Sequence, residues 1–168
     1  MAEEAVTTLR AELGRFGRGE EGFALLEVFL EVARPWLGPV VLDPVGLLLP
    51  DEMTDDRALV QGLIEEIGAE PVPTGLFRSA ERGYDMADPQ ARWDYVRLAH
   101  CSNLATVWSE GRRTTYFEVS GRVRATYWLP ESLKVAFFDA IQAKGWAVPA
   151  DWLTAVGKQP KPWWKRGG

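Results

Sequence analysis

The sequence predicts an α+β protein, with a helical first half, a small antiparallel sheet and a last helix packed on one face of it. Three observations support this class. Apolar residues recur at helical spacing through much of the first half. Between about 104 and 129 they alternate with polar residues on a two-residue rhythm. A stretch with helical spacing then follows at about 131–144, between Pro130 and Gly145.

The first half, residues 1–100, is predicted to contain four helices. Apolar residues at positions 6, 9, 13 and 16 predict the first helix, which ends in a glycine-rich stretch. The segment "EEGFALLEVFLEVARPW" predicts a second helix that Pro35 ends. The segment "GPVVLDP" is either a short buried strand or an extended connector. A third helix in "TDDRALVQGLIEEIG" is expected to begin at Thr54 or Asp55 and to end at Gly68, and a fourth begins at Asp88.

The second half, residues 101–157, is predicted to form a three-stranded meander at about 104–129 and the helix at about 131–144. The turns are placed at Glu110-Gly111 and at Ser120-Gly121. If both turns are two-residue loops, counting along the strands sets the register. Residues 1–157 are therefore predicted to form a single globular domain, and residues 158–168 a basic tail.

This register predicts a candidate binding face on one side of the meander. Its other side is mostly apolar and suits the following helix. In the register, Arg113 lies between Trp108 and Trp128, close enough for cation–π stacking across the strands. Such a face is typical of a platform for a nucleic-acid base, a nucleotide or an acidic protein surface. The structural alternative is a ladder of side chains that is solvated or covered by the N-terminal helices. The predicted face consists of Trp108, Arg113, Phe117, Arg122, Arg124 and Trp128.

The tail "KQPKPWWKRGG" differs in charge from the rest of the chain. It carries four basic and no acidic side chains, so that removing its charges from the net −5 leaves −9 on the body. Three alternatives follow: docking on the body as a clasp, insertion into a partner's groove or an anionic membrane surface, and a Gly-Gly conjugation terminus. The clasp is favoured, because two exposed adjacent indoles lower solubility. The predicted contact residues are Lys161, Trp163, Trp164, Lys165 and Arg166.

Several kinds of chemistry are not expected. The single cysteine, Cys101, and the single histidine, His100, cannot form a disulfide, a thiolate zinc cage or a multi-histidine metal site within one chain. Their adjacency does not predict a catalytic dyad, because neighbouring side chains usually point in different directions. Acidic residues between 51 and 56 lack the spacing of a calcium loop. Phosphate-binding glycine loops and hydrolase motifs are missing, so neither a cofactor nor a metal is predicted.

The sequence therefore predicts a non-enzymatic macromolecule-binding protein. An acidic protein–protein interaction module fits best, as an inhibitor, an adaptor or an immunity-type protein. The alternative is nucleic-acid or nucleotide binding through the aromatic and basic face and the tail, although the net charge of −5 disfavours a general nucleic-acid coat. An enzyme whose site uses Tyr116, Glu118 or Asp94 is the second alternative. No membrane span is predicted, and the acidic N-terminus without an apolar signal region predicts a cytoplasmic protein.

Overall fold

An antiparallel sheet of six strands forms the frame of the described residues in the computed structural model. Those residues are 4–12, 20–51, 53, 56–70, 81–122 and 124–158. The strand order is β1-β6-β5-β4-β2-β3, and each neighbouring pair is antiparallel. The strands are β1 (Val6–Glu12), β2 (Leu37–Leu42), β3 (Arg82–Gly83), β4 (Leu104–Ser109), β5 (Thr115–Ser120) and β6 (Arg124–Pro130). The helices are α1 (Glu20–Ala33), α2 (Arg57–Gly68), α3 (Pro89–Leu98), α4 (Glu131–Ala143) and the short α5 (Ala150–Leu153).

The α+β class is right, but the prediction of a small three-stranded sheet is wrong. The meander β4-β5-β6 is the middle of a wider sheet, in which β1 pairs with β6, and β2 and β3 continue beyond β4. The described part of the segment predicted as the first helix forms β1 over Val6–Glu12, and its remainder, residues 13–19, lies outside the described residues. Its run of β-branched residues, Val6, Thr7 and Thr8, favours the extended chain. The segment "GPVVLDP" contributes β2, which was one of its two predicted conformations.

The hydrophobic core lies between one face of the sheet, the inner face, and the helices. Alternate strand residues such as Leu9, Val107 and Tyr127 point into it and are buried. The ring of Phe29 on α1 packs against Phe117 and Tyr127 of the sheet and against Phe137 of α4. The ring centroids are 5.1–6.3 Å apart. Buried residues of α2 and α3 belong to the same core. Helices α1 and α4 therefore pack on the inner face, and α2 and α3 complete the same core.

The C-terminal part of the described chain protects the free edge of β1. Lys158 pairs antiparallel with Val6, and their backbone groups exchange hydrogen bonds of 3.2 and 3.0 Å. The indole Nε1 of Trp152 donates to the carbonyl oxygen of Arg10 at 3.0 Å. An exposed sheet edge is a template for unwanted strand pairing, and these contacts occupy part of it.

Candidate binding face on the outer side of the sheet

The turn between β4 and β5 is longer than the predicted two residues. Residues 110–113 separate Ser109 from Thr114, whose carbonyl oxygen accepts a 2.8 Å hydrogen bond from the amide of Ser109. Gly111 and Arg112 have φ values of 72° and 54°. The ladder consequently pairs Val107 with Phe117 and, after a bulge, Trp108 with Thr115. The predicted pairing of Trp108 with Arg113 is wrong.

The turn between β5 and β6 also differs from the prediction. Gly121 and Arg122 adopt φ values of 60° and 58°, and Ser120 pairs with Arg124. Phe117 therefore faces Tyr127 instead of Arg124. In both pairings of β5, the observed partner lies three residues from the predicted one. Because three is an odd number, each side chain of β5 points to the face opposite to the predicted one. Phe117 is fully buried in the core, and Tyr116 takes its place on the outer face.

The predicted binding residues are consequently separated. Trp108 and Trp128 are half-buried on the outer face, and Arg124 is exposed on the same face. Arg113 lies in the β4–β5 turn, so the predicted row of indole, guanidinium and indole does not form. Arg122 lies in the β5–β6 turn, where its Nη1 donates to the carbonyl oxygen of Gly46 at 2.6 Å.

The arginine that contacts Trp108 is Arg112, which is not among the predicted binding residues. Its guanidinium carbon lies 6.0 Å from the ring centroid of Trp108. Its Nη2 is 3.0 Å from a carboxylate oxygen of Glu81. The left-handed backbone at Arg112 follows from the turn geometry, which the spacing of the sequence does not reveal.

The outer face has an aromatic end. There Trp108, Tyr116 and Trp128 lie on the successive strands β4, β5 and β6, next along the sheet from the paired residues Val107, Phe117 and Tyr127. A cavity of about 310 Å³ opens beside Tyr116 and Trp128. Neither indole belongs to the hydrophobic core under the helices, whereas Tyr116 is partly buried against that core. The cavity is lined by Val6, Thr114, Thr115, Tyr116, Trp128 and Pro130.

The rest of the outer face is polar. Thr106, Glu118 and Thr126 form a row across β4, β5 and β6 in the middle of the sheet. At the opposite end from the aromatic residues, Arg10 and Arg124 are exposed and lie on neighbouring strands. The face therefore has an aromatic end, a middle with two threonine hydroxyls and the carboxylate of Glu118, and a basic end with two exposed arginines.

Tyr116 is a neutral phenol at physiological pH. Partial burial raises its pKa above the usual value, and the charge of nearby Glu4 raises it further. The neutral hydroxyl can donate a hydrogen bond as well as accept one. Together with the indole of Trp128, it gives the cavity an apolar wall with a polar tip, which suits an aromatic or aliphatic side chain of a ligand.

The reactive side chains singled out in the sequence are buried in the core. His100 Nδ1 lies 3.1 Å from the carbonyl oxygen of Val96, and burial lowers the pKa of its imidazole to about 4. The Cys101 thiol lies 3.6 Å from the carbonyl oxygen of Arg97, and burial raises its pKa to about 12. A thiolate nucleophile therefore does not form at neutral pH.

The remaining predictions concern two acidic residues, membrane spans, metal sites and the tail. Asp94 accepts a hydrogen bond from Gln90 on α3, and Glu118 lies in the middle of the outer face. None of the described helices combines the length and the apolar character that a membrane span requires. Among these same residues, no group of three or more His, Cys, Asp or Glu side chains is arranged to hold a metal ion. The predicted tail contacts Lys161, Trp163, Trp164, Lys165 and Arg166 lie outside the described residues.

These features define an α+β protein whose sheet is covered by helices on its inner face and has an aromatic cavity on its outer face. Comparisons of the chain with protein-family models, with curated proteins and with solved structures give no match.

Proposed function

We propose that the protein functions by binding another protein through the aromatic end of its outer sheet face. The observation that carries this proposal is the cavity on the outer face, which Tyr116 and Trp128 line, with Trp108 on the next strand. Tryptophan and tyrosine are enriched among the residues that dominate binding energy at protein interfaces. A cavity of about 310 Å³ is at the small end of ligand pockets, so it suits an anchoring side chain.

The charge of the protein favours a basic partner segment with an apolar anchor. The chain has a net charge of −5, and Glu4 lies near enough to Tyr116 to raise the pKa of its phenol. Acidic surfaces attract basic partners over distances of about 10 Å and speed their association. An inhibitor, an adaptor or an immunity-type protein requires such a surface and no catalytic group.

Affinity capture with matched variants tests this function. The immobilised full-length protein is exposed to an extract of its source cells, beside Trp128→Ser and a control, Leu59→Ser. Leu59 lies on α2 and is 62% exposed, so its replacement removes a similar apolar surface elsewhere. We expect a protein that is retained by the wild type and the control and is lost with Trp128→Ser. Equal retention by all three folded proteins contradicts the proposal.

Nucleic-acid binding is a second candidate, supported by the basic end of the same face. Arg10 and Arg124 are exposed there, and base stacking on Trp128 would complete a site for a single strand. The test is the fluorescence anisotropy of a labelled oligothymidine between about 50 and 200 mM salt, because phosphate contacts make affinity fall steeply with salt. Binding that is weakened by Arg124→Ala and by added salt supports this candidate, and salt-independent or undetectable binding contradicts it.

A further inference from the structure

The described chain ends beside the aromatic cavity. Lys158 exchanges two backbone hydrogen bonds with Val6, at 3.2 and 3.0 Å. Val6 is itself one of the residues that line the cavity. The ten residues 159–168, which lie outside the described residues, therefore begin at the rim of this cavity.

The direction of the chain at Lys158 also favours the cavity. Because Lys158 is antiparallel to Val6, the backbone at Lys158 is directed towards the N-terminal end of β1. That end of β1 lies beside the C-terminal end of β6, where Pro130 pairs with Val6. An extended chain covers at most about 3.5 Å per residue, so five residues from Lys158 allow Trp163 to reach roughly 17 Å. The cavity begins well within that distance.

The side chains of the tail match the cavity in shape and charge. Trp163 and Trp164 follow Pro160 and Pro162, which favour an extended backbone without internal hydrogen bonds. An indole can pack on the walls formed by Tyr116, Trp128 and Pro130.

Acidic side chains lie beside this opening. Glu4 is close enough to raise the pKa of Tyr116. Glu131 begins α4 directly after Pro130 and is half exposed, with its carboxylate 2.7 Å from Lys134 Nζ. The basic tail residues Lys161, Lys165 and Arg166 can pair with them.

We infer that the tail folds back onto its own chain and places one of its two adjacent indoles in the aromatic cavity. The segment 159–168 is then a clasp that continues the protection of the β1 edge and covers the aromatic end of the outer face. This contact does not depend on the proposed function, because it can form in a protein with no partner.

Paramagnetic broadening in the full-length protein tests the clasp. A nitroxide is attached to the variant Lys165→Cys, and the buried native Cys101 is not expected to react. We expect loss of the amide signals of Thr115, Tyr116 and Trp128, which recover when the nitroxide is reduced. We expect the signals of α2 to be less affected. A labelled chain that also carries Trp163→Ser and Trp164→Ser should leave the cavity signals intact.

Each other outcome overturns the clasp. Broadening that is absent, or that is strongest on the helices, means that the tail does not occupy the cavity. Broadening that persists without the two indoles means that charge alone holds the tail. A mixed sample of isotope-labelled chains and nitroxide-labelled chains separates the two copies. Broadening in that sample would show that the tail binds a second copy of the chain instead of its own cavity.

Discussion

Gly38 determines how closely β2 approaches β4. It lies where the pairing register shifts between Leu37 and Val40. A Cβ atom at this position would lie 2.1 Å from the carbonyl oxygen of Ser109, far inside van der Waals contact. The obstacle is backbone and cannot move as a flexible side chain could. Only glycine therefore allows this bulge to form beside β4.

We predict that Gly38→Ala lowers the free energy of unfolding by about 2 kcal/mol, as expected for an overpacked site. The matched control is Gly62→Ala in α2, where an added Cβ meets no atom within 4 Å. Because alanine restricts the unfolded chain and favours a helix, the control should raise stability by about 0.5–1 kcal/mol. Urea unfolding of both variants measures the two changes, and equal effects would contradict this role of Gly38.

His100 makes stability depend on pH. Burial lowers its pKa to about 4 in the folded protein, whereas an unfolded histidine has a pKa near 6.5. As the pH falls below about 6.5, the unfolded state binds a proton that the folded state does not bind until about pH 4. The unfolded state is therefore favoured increasingly as the pH falls through this window. The total loss of stability is roughly 3 kcal/mol.

We predict that His100→Gln removes most of the decrease in unfolding free energy between about pH 6.5 and pH 5. His100 is the single histidine of the chain, so the difference between wild type and variant isolates its titration. Urea unfolding at several pH values gives both slopes. Parallel slopes in the two proteins would contradict the effect of His100, whatever the stability of the variant at neutral pH.

Among the elements, α4 is stabilised at its first turn by Glu4, which lies just before β1. The carboxylate of Glu4 accepts hydrogen bonds from the backbone amide of Ser132 at 2.6 Å and from its hydroxyl at 3.1 Å. The first amides of a helix have no partner within the helix, and the helix dipole favours negative charge there. Glu4 therefore caps α4 from a distant part of the chain.

We predict that Glu4→Ala lowers the free energy of unfolding by about 1 kcal/mol, the usual effect of losing a helix cap. Glu31→Ala on the exposed surface of α1 is the control, because it removes the same charge without a cap. Thermal unfolding measures both effects. We expect the Tm of Glu4→Ala to be about 2–4 °C below that of the wild type and the Tm of the control to be nearly unchanged. A loss of the same size in both variants would contradict the capping role.

The strands of the second half could be predicted because apolar and polar residues alternate clearly along them. The lengths of the turns between these strands could not be predicted. Alternation around Val107 and Tyr127 identified two strands and their inner residues. Turn length depends on left-handed residues, and Arg112 and Arg122 adopt that conformation without a sequence signal. A signal for the orientation of β5 was present, since Phe117 and Val119 are more apolar than Tyr116 and Glu118.

The first strand could not be separated from a helix by spacing alone. Leu9 and Val6 fit a helical period, but Thr7, Leu9 and Ala11 also fit the two-residue period and are the buried residues. The partner of this strand is β6, more than a hundred residues away. Pairing over such a distance is decided by tertiary contacts, which override local preference. The same applies to the cavity, whose walls come from β1, β5, β6 and the turn before β5.

For the molecule as a whole, the clasp and the proposed partner site use the same surface. A partner segment that anchors in the cavity between Tyr116 and Trp128 must displace the tail. Occupation of a site by part of the same chain reduces the apparent affinity in proportion to the open fraction. The tail would therefore set a threshold of affinity or concentration that a partner must exceed.

We predict that Trp163→Ser combined with Trp164→Ser strengthens binding of the partner retained in affinity capture. If the cavity is open for about a tenth of the time in the wild type, the apparent Kd should fall about tenfold. Isothermal titration with wild type, the double variant and the Leu59→Ser control measures this change. Weaker binding by the double variant would mean that the tail contacts the partner directly. If the tail indoles occupy the cavity, removing them lowers the Kd for the partner. If they contact the partner, removing them raises it. The direction of the change in Kd therefore distinguishes an internal clasp from a linear binding motif.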